Sequence, residues 1–191
     1  MGRKSRLKKE ARQERLRVEP KEILSSASSS FLKIAMTFAA MVIVFEIIVE
    51  LFIDWLPLQL ATASITTYLL QVTGLEVNTS GIHMILPNAR WEVIADCTAI
   101  GAQVIFLSFV LAFPSSKKAK LFATGVGVPF IFAVNIVRLV ALGWLTYLSP
   151  KLADYCHDFV WQMGFLFMVV GMWLAWIEWV VKREKNPAVS A

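Results

Sequence analysis

WEVIADCTAIGAQVIFLSF, residues 91–109, joins a polar-flanked segment to an apolar run, with Cys97 at the junction. Trp91 to Ala95 has the β character of a short strand. From Thr98 the residues are apolar or small, and they predict a helix closed by Pro114. The rest of the chain extends both patterns. Apolar residues make up 57% of it and charged residues only 17%, where a soluble domain carries about a quarter charged. Several apolar runs approach or exceed the roughly 20 residues that cross a bilayer. The sequence therefore predicts an all-α integral membrane protein. Four transmembrane helices are expected, with one interfacial or re-entrant helix and a small extracytoplasmic hairpin.

The expected spans are Phe31–Ile53, Thr98–Phe113, Leu121–Leu148 (with Pro129 as a kink) and Phe159–Val181. Ser25–Ser30 reads as a hinge between residues 1–30, a basic cytoplasmic segment, and a membrane domain over 31–181. Residues 182–191 form a cytoplasmic tail. Leu58–Val72 is apolar on one side and rich in Thr, Ser and Gln elsewhere, which suits an interfacial or re-entrant helix. Ile82–Leu86 and Trp91–Ala95 are separated by the turn residues Pro87-Asn88-Ala89-Arg90, giving the hairpin.

The formal charge of +5 is local: residues 1–22 hold nine Lys or Arg against four Glu. No aromatic or Gly interleaving marks a nucleic-acid platform, so this segment reads as a topology anchor on a retained signal-anchor helix. Lys117, Lys118, Lys120, Lys182, Arg183 and Lys185 assign their ends to the same side, leaving both termini cytoplasmic. Residues 54–96 carry four acids and one Arg and face outward. Two cysteines, Cys97 and Cys156, form neither a disulfide framework nor a zinc motif, and no metal or cofactor is expected.

Helix rise converts position into depth. Cys97 lies about 24 Å above the lysine loop, Arg138 about 26 Å above that same loop, and His157 roughly 32 Å above Glu178. All three are predicted at one height near the outer surface. Each also has a plainer explanation. Cys97 can be a small buried hydrophobe, although a thiol at a helix N-terminus has its thiolate favoured. Arg138 can pair with Glu46 or Glu50, and Asn135, three residues before it, can orient the guanidinium. His157 can be an interfacial helix-start residue. Together they suit cysteine acyl transfer: Cys97 attacks a carbonyl, His157 acts as base and then acid, and Arg138 stabilises negative charge. A non-catalytic membrane assembly or scaffold protein with a structural Arg138–Glu46 pair is the alternative. A transporter fits less well, because the polar residues gather near one face.

Cys97-Thr98-Ala99 opens one helix, Asn135-Ile136-Val137-Arg138 lies in the next, and His157-Asp158 precedes a third. In order and spacing this resembles the exosortase/archaeosortase family of membrane cysteine transpeptidases, over a core of about residues 75–179. The stretch ending at Val77 and the helix closing on Ala112-Phe113-Pro114 look like the family too. Cys97-Thr98-Ala99 stands where Cys-Ser-Gly is commonest, and this chain has fewer spans than many relatives. The resemblance implies Cys97, Arg138 and His157 as catalytic residues, supported by Asn135, Asp158 and Thr98. It also implies membrane-anchored surface proteins with a C-terminal tripartite sorting signal as substrates. Their cleavage would pass through a thioacyl intermediate, which a membrane lipid or another nucleophile accepts.

Overall fold

The computed structural model describes residues 20–52 and 54–185, with side-chain surroundings for 30–52, 54–157 and 160–183. The basic segment before Pro20 and the tail beyond Lys185 lie outside the described residues. Helix α1 runs Pro20–Phe52 and α2 runs Leu56–Val72. A three-stranded antiparallel meander follows: β1 Asn78–Ser80, β2 His83–Ile85 and β3 Arg90–Glu92, in the order β1-β2-β3. A 3₁₀ turn, Ala95–Thr98, leads into α3, Ile100–Ala112, and then into α4, Lys117–Leu148. Helix α5, Pro150–Tyr155, passes through a π turn, Cys156–Val160, into α6, Trp161–Trp176. A second π turn, Ile177–Val181, and α7, Lys182–Lys185, close the described chain.

Among the described residues, three helices are long and apolar enough to cross a membrane: Ser30–Phe52 within α1, Lys117–Leu148, and Trp161–Val181. The segment expected as a fourth span is shorter. Its helix α3 holds 13 residues, about 20 Å of rise against a hydrocarbon core of about 30 Å. Compared with the expected span, the 3₁₀ turn and a left-handed Ala99 (φ 60°) keep Thr98 and Ala99 out of the helix at its start, and Phe113 stands outside it at its end. The hinge expected at Ser25–Ser30 is also corrected, since α1 passes through it unbroken. Pro129 lies inside the continuous helix α4. The chain between α4 and α6 is helical from Pro150, and continues directly into α6.

Aromatic packing binds these helices together. Phe38 of α1 meets Phe109 of α3 and Trp173 of α6 edge-on, at 6.2 and 6.0 Å, while Phe109 and Trp173 stack at 4.3 Å. The Trp176 indole donates to the Ala119 carbonyl at 3.0 Å, holding α6 to the start of α4. Helices α3 and α4 run antiparallel. Cys97 lies opposite Asn135, and Phe106 lies against Gly127 so closely that any Cβ there would collide with its ring. Outward residues such as Phe31, Leu51, Leu121, Phe122, Phe167 and Leu174 remain well exposed, an apolar surface far larger than a water-soluble monomer presents.

A second, smaller core seats the meander. Leu70 and Ala63 of α2 pack with Leu75, Val77, Met84, Leu86 and Val93, and Cys97, Val140 and Trp144 close the cluster. The expected hairpin is present, with Met84 opposite Trp91. The Asn78-Thr79-Ser80 segment adds a third strand. Its turn needs a left-handed residue, and Gly81 supplies one at φ 63°. Asn88, at the β2–β3 turn, donates to the Thr146 carbonyl at 2.9 Å and fixes the sheet to the C-terminal end of α4.

Candidate active site

The strand-to-helix junction positions Cys97. Its backbone N–H donates to the Ile94 carbonyl at 3.0 Å, and the Thr98 hydroxyl donates to the Ala95 carbonyl at 2.6 Å, closing the 3₁₀ turn. Thr98 is fully buried, so it shapes the turn and does not present a hydroxyl to solvent. Asn135 is fully buried as well, and its side-chain amide donates to the Cys97 carbonyl at 2.6 Å. Asn135 therefore anchors the cysteine backbone, in place of the expected role of orienting Arg138. The change follows from reach: Asn135 lies directly behind the turn, with its amide on a carbonyl that no helix partner takes.

Arg138, one helical turn further along α4, acts on the sulfur itself. Burial pushes the Cys97 thiol up from its ordinary value, a backbone hydrogen bond with Ile94 and the charge of Arg138 pull it down, and Asp96 pushes it up. Burial is the largest of these, and the net direction is upward. This corrects the expectation of a thiolate favoured by a helix N-terminus. Cys97 precedes the left-handed Ala99 that caps α3, so it stands in the turn before the helix and not in its first turn. Arg138 also lies over the Phe165 ring, 5.6 Å from its centroid, and its Nε is buried without a hydrogen-bond partner. Among the described residues no carboxylate forms an ion pair with Arg138, and Glu46 and Glu50 are exposed on α1. The structural pairing that the alternative reading requires is not formed there.

A cavity of about 350 Å³ opens beside Cys97 and is bordered by both Cys97 and His157, sixty residues apart in sequence. Its floor is apolar, with Met84, Val93, Leu139 and Leu142; its rim carries Arg90, Glu92 and Asp154. His157 stands on the π turn that joins α5 to α6. Such wide turns re-aim side chains and recur at functional sites. The Asp158 side chain lies outside the described residues. Cys156 neighbours His157 in sequence, and both cysteines are free and half-buried. Among the described residues no three His, Cys, Asp or Glu side chains converge where a metal ion could sit.

Sequence reasoning missed the wall of this cavity. Arg90 to Ile94 all border it, although the segment reads only as a hairpin strand. The available signal was the closeness of that strand to Cys97 in sequence. Asp154 and Thr146 carried no signal at all, since only the packing of α5 against α4 brings them to the rim.

The family model for transmembrane exosortases matches residues 24–182, which include every residue that borders the cavity. Comparison with curated proteins and with solved structures finds no match.

Proposed function

The chain belongs to the transmembrane exosortase family, and from that membership we propose that it is a membrane cysteine transpeptidase with Cys97 as its nucleophile. The observation that carries this reading is the shared cavity. Cys97 and His157 border it together, and the Arg138 charge lies close enough to Cys97 to favour its thiolate. The upward shift of the thiol defines the role of the histidine. A buried sulfur that is mostly protonated needs a base at the moment of attack, and His157 is the titratable group placed to serve.

In the proposed reaction His157 takes the thiol proton as sulfur attacks the peptide carbonyl. The carbonyl electrons move onto oxygen, and Arg138 stabilises the developing charge at reduced dielectric. Collapse of the tetrahedral species breaks the C–N bond; His157 returns its proton to the departing amine and leaves a thioester on Cys97. An acceptor, a lipid or another nucleophile, then attacks the thioester carbonyl and passes its proton to His157. The thiolate leaves and is reprotonated. Asn135 and Thr98 hold the turn that carries the sulfur. The substrates are membrane-anchored surface proteins with a C-terminal tripartite sorting signal.

The site faces the extracytoplasmic side, with both termini cytoplasmic. Supporting this placement, the cavity borders the C-terminal half of α4, from Leu139 to Thr146, whereas Lys117, Lys118 and Lys120 cluster at its other end. The test is Cys97→Ala beside His157→Ala in cells that process such a surface protein. Both variants accumulate in the membrane at normal abundance. Cys97→Ala abolishes processing, and His157→Ala lowers it by about 10²–10⁴-fold. Normal processing by Cys97→Ala removes the catalytic reading.

A further inference from the structure

β3 is an edge strand. The Val93 N–H donates to the Ile82 carbonyl at 2.9 Å, and the Leu86 N–H donates to the Ala89 carbonyl at 2.8 Å. These bonds fix which way each backbone group points. Residues 89, 91 and 93 turn their N–H and C=O groups toward β2, so by alternation Arg90 and Glu92 turn theirs away from it. Among the described residues no hydrogen bond engages those outward groups.

The cavity lies along this edge. Successive strand side chains point to opposite faces, so a pocket on one face would border every second residue. Here five consecutive residues, Arg90 to Ile94, border it, and Cys97 follows within one 3₁₀ turn. Arg90, Glu92 and Ile94 have exposed side chains, while Val93 is buried against the core. The cavity therefore runs along the backbone edge of β3 and continues beneath the buried face of the sheet, where Met84 and Val93 line it. A row of alternating N–H and C=O groups has one natural complement, another extended backbone.

We propose that the substrate's sorting segment docks as an extended strand on the free edge of β3, pairing with Arg90 and Glu92, and so delivers its scissile carbonyl to Cys97. This rests on the reading of Cys97 as the acyl-accepting nucleophile. A peptide residue opposite Glu92 is about two or three residues of extended chain from Cys97, at roughly 3.3 Å per residue. Backbone pairing supplies affinity with little sequence demand. Selection falls to the side chains that enter the cavity, whose floor is apolar and whose rim is charged. A short, charged edge can also serve only to block unwanted strand pairing, and the experiment separates the two roles.

The test uses the full chain in its native cells, with the acyl adduct on Cys97 quantified by mass spectrometry. Glu92→Pro and Glu92→Ala remove the same side chain, but only proline removes the outward N–H and blocks the edge. Proline is tolerated on an edge strand where its N–H faces outward. Arg90→Pro and Arg90→Ala repeat the comparison at the first residue of the strand. The expected result is at least tenfold less adduct in each proline variant than in its alanine partner. Membrane abundance, and the rate at which a small thiol reagent alkylates Cys97, should match within each pair. Equal adduct in the proline and alanine variants overturns strand docking while leaving the nucleophile intact. Complete absence of an adduct from the unsubstituted chain overturns the thioacyl reading, and the docking with it.

Discussion

Cys97 owes its chemistry to three neighbours that act on it differently. Asn135 holds its carbonyl, Arg138 favours its thiolate, and Asp96 opposes ionisation. Because burial outweighs the favourable contacts, the resting sulfur is a thiol over the neutral range, and its reactivity should rise with pH. The sign for Arg138 follows directly. A cation stabilises the anionic thiolate, so Arg138→Gln leaves burial and Asp96 to act with less opposition. The thiol midpoint then moves further upward. Alkylation of Cys97 at a fixed near-neutral pH should slow severalfold in Arg138→Gln and be partly restored in Arg138→Lys, as read from a pH series with a small thiol reagent. Asp96→Asn should shift the midpoint the other way. An unchanged pH profile in Arg138→Gln would show that the guanidinium does not act on the sulfur.

At the scale of elements, the junction from β3 through the 3₁₀ turn into α3 decides where the sulfur stands. Ala99 occupies the left-handed region with a side chain present, a conformation that costs an alanine about 1 kcal/mol. Strain of this kind collects at functional sites. Ala99→Gly removes the clash at the expense of a freer unfolded chain, so it should be neutral or stabilising by up to about 1 kcal/mol. A β-branched residue there should destabilise by more. Thermal unfolding in detergent checks both, and a clear loss of stability in Ala99→Gly would contradict the account of the turn. This junction also shows what a sequence can and cannot disclose. The apolar runs, the Leu58–Val72 helix and the strand pair around Asn88 were legible because each is a local periodic pattern. The common height of Cys97 and Arg138 was legible because rise per residue is fixed. The start of α3 was not, since it depends on one backbone dihedral at Ala99. Nor was the partner of Asn135, since its amide can donate to a carbonyl or accept from the Arg138 guanidinium, and only packing chose between them. The five-residue cavity wall was hidden for a similar reason: it depends on which edge of β3 pairs with β2.

At the scale of the whole molecule, the described residues form three long apolar helices and a shorter one that carry a small sheet at the C-terminal end of α4. Lys117, Lys118 and Lys120 cluster at the other end of α4, and Lys182, Arg183 and Lys185 follow α6, against Arg90 and Lys151 on the cavity side. By the positive-inside rule this arrangement should leave the cavity extracytoplasmic. A membrane-impermeant maleimide applied to intact cells should therefore label Cys97 or Cys156 without permeabilisation, and labelling only from the cytoplasmic side would reverse the orientation. The central claim concerns a covalent bond, and the most direct measurement is mass spectrometry of the chain purified from cells that process sorting signals. The account predicts an acyl group on Cys97 through a hydroxylamine-labile thioester, absent from Cys97→Ala, whose mass reports the cleaved segment. Finding Cys97 unmodified throughout, while the Cys97→Ala chain still processes its substrates, would contradict it.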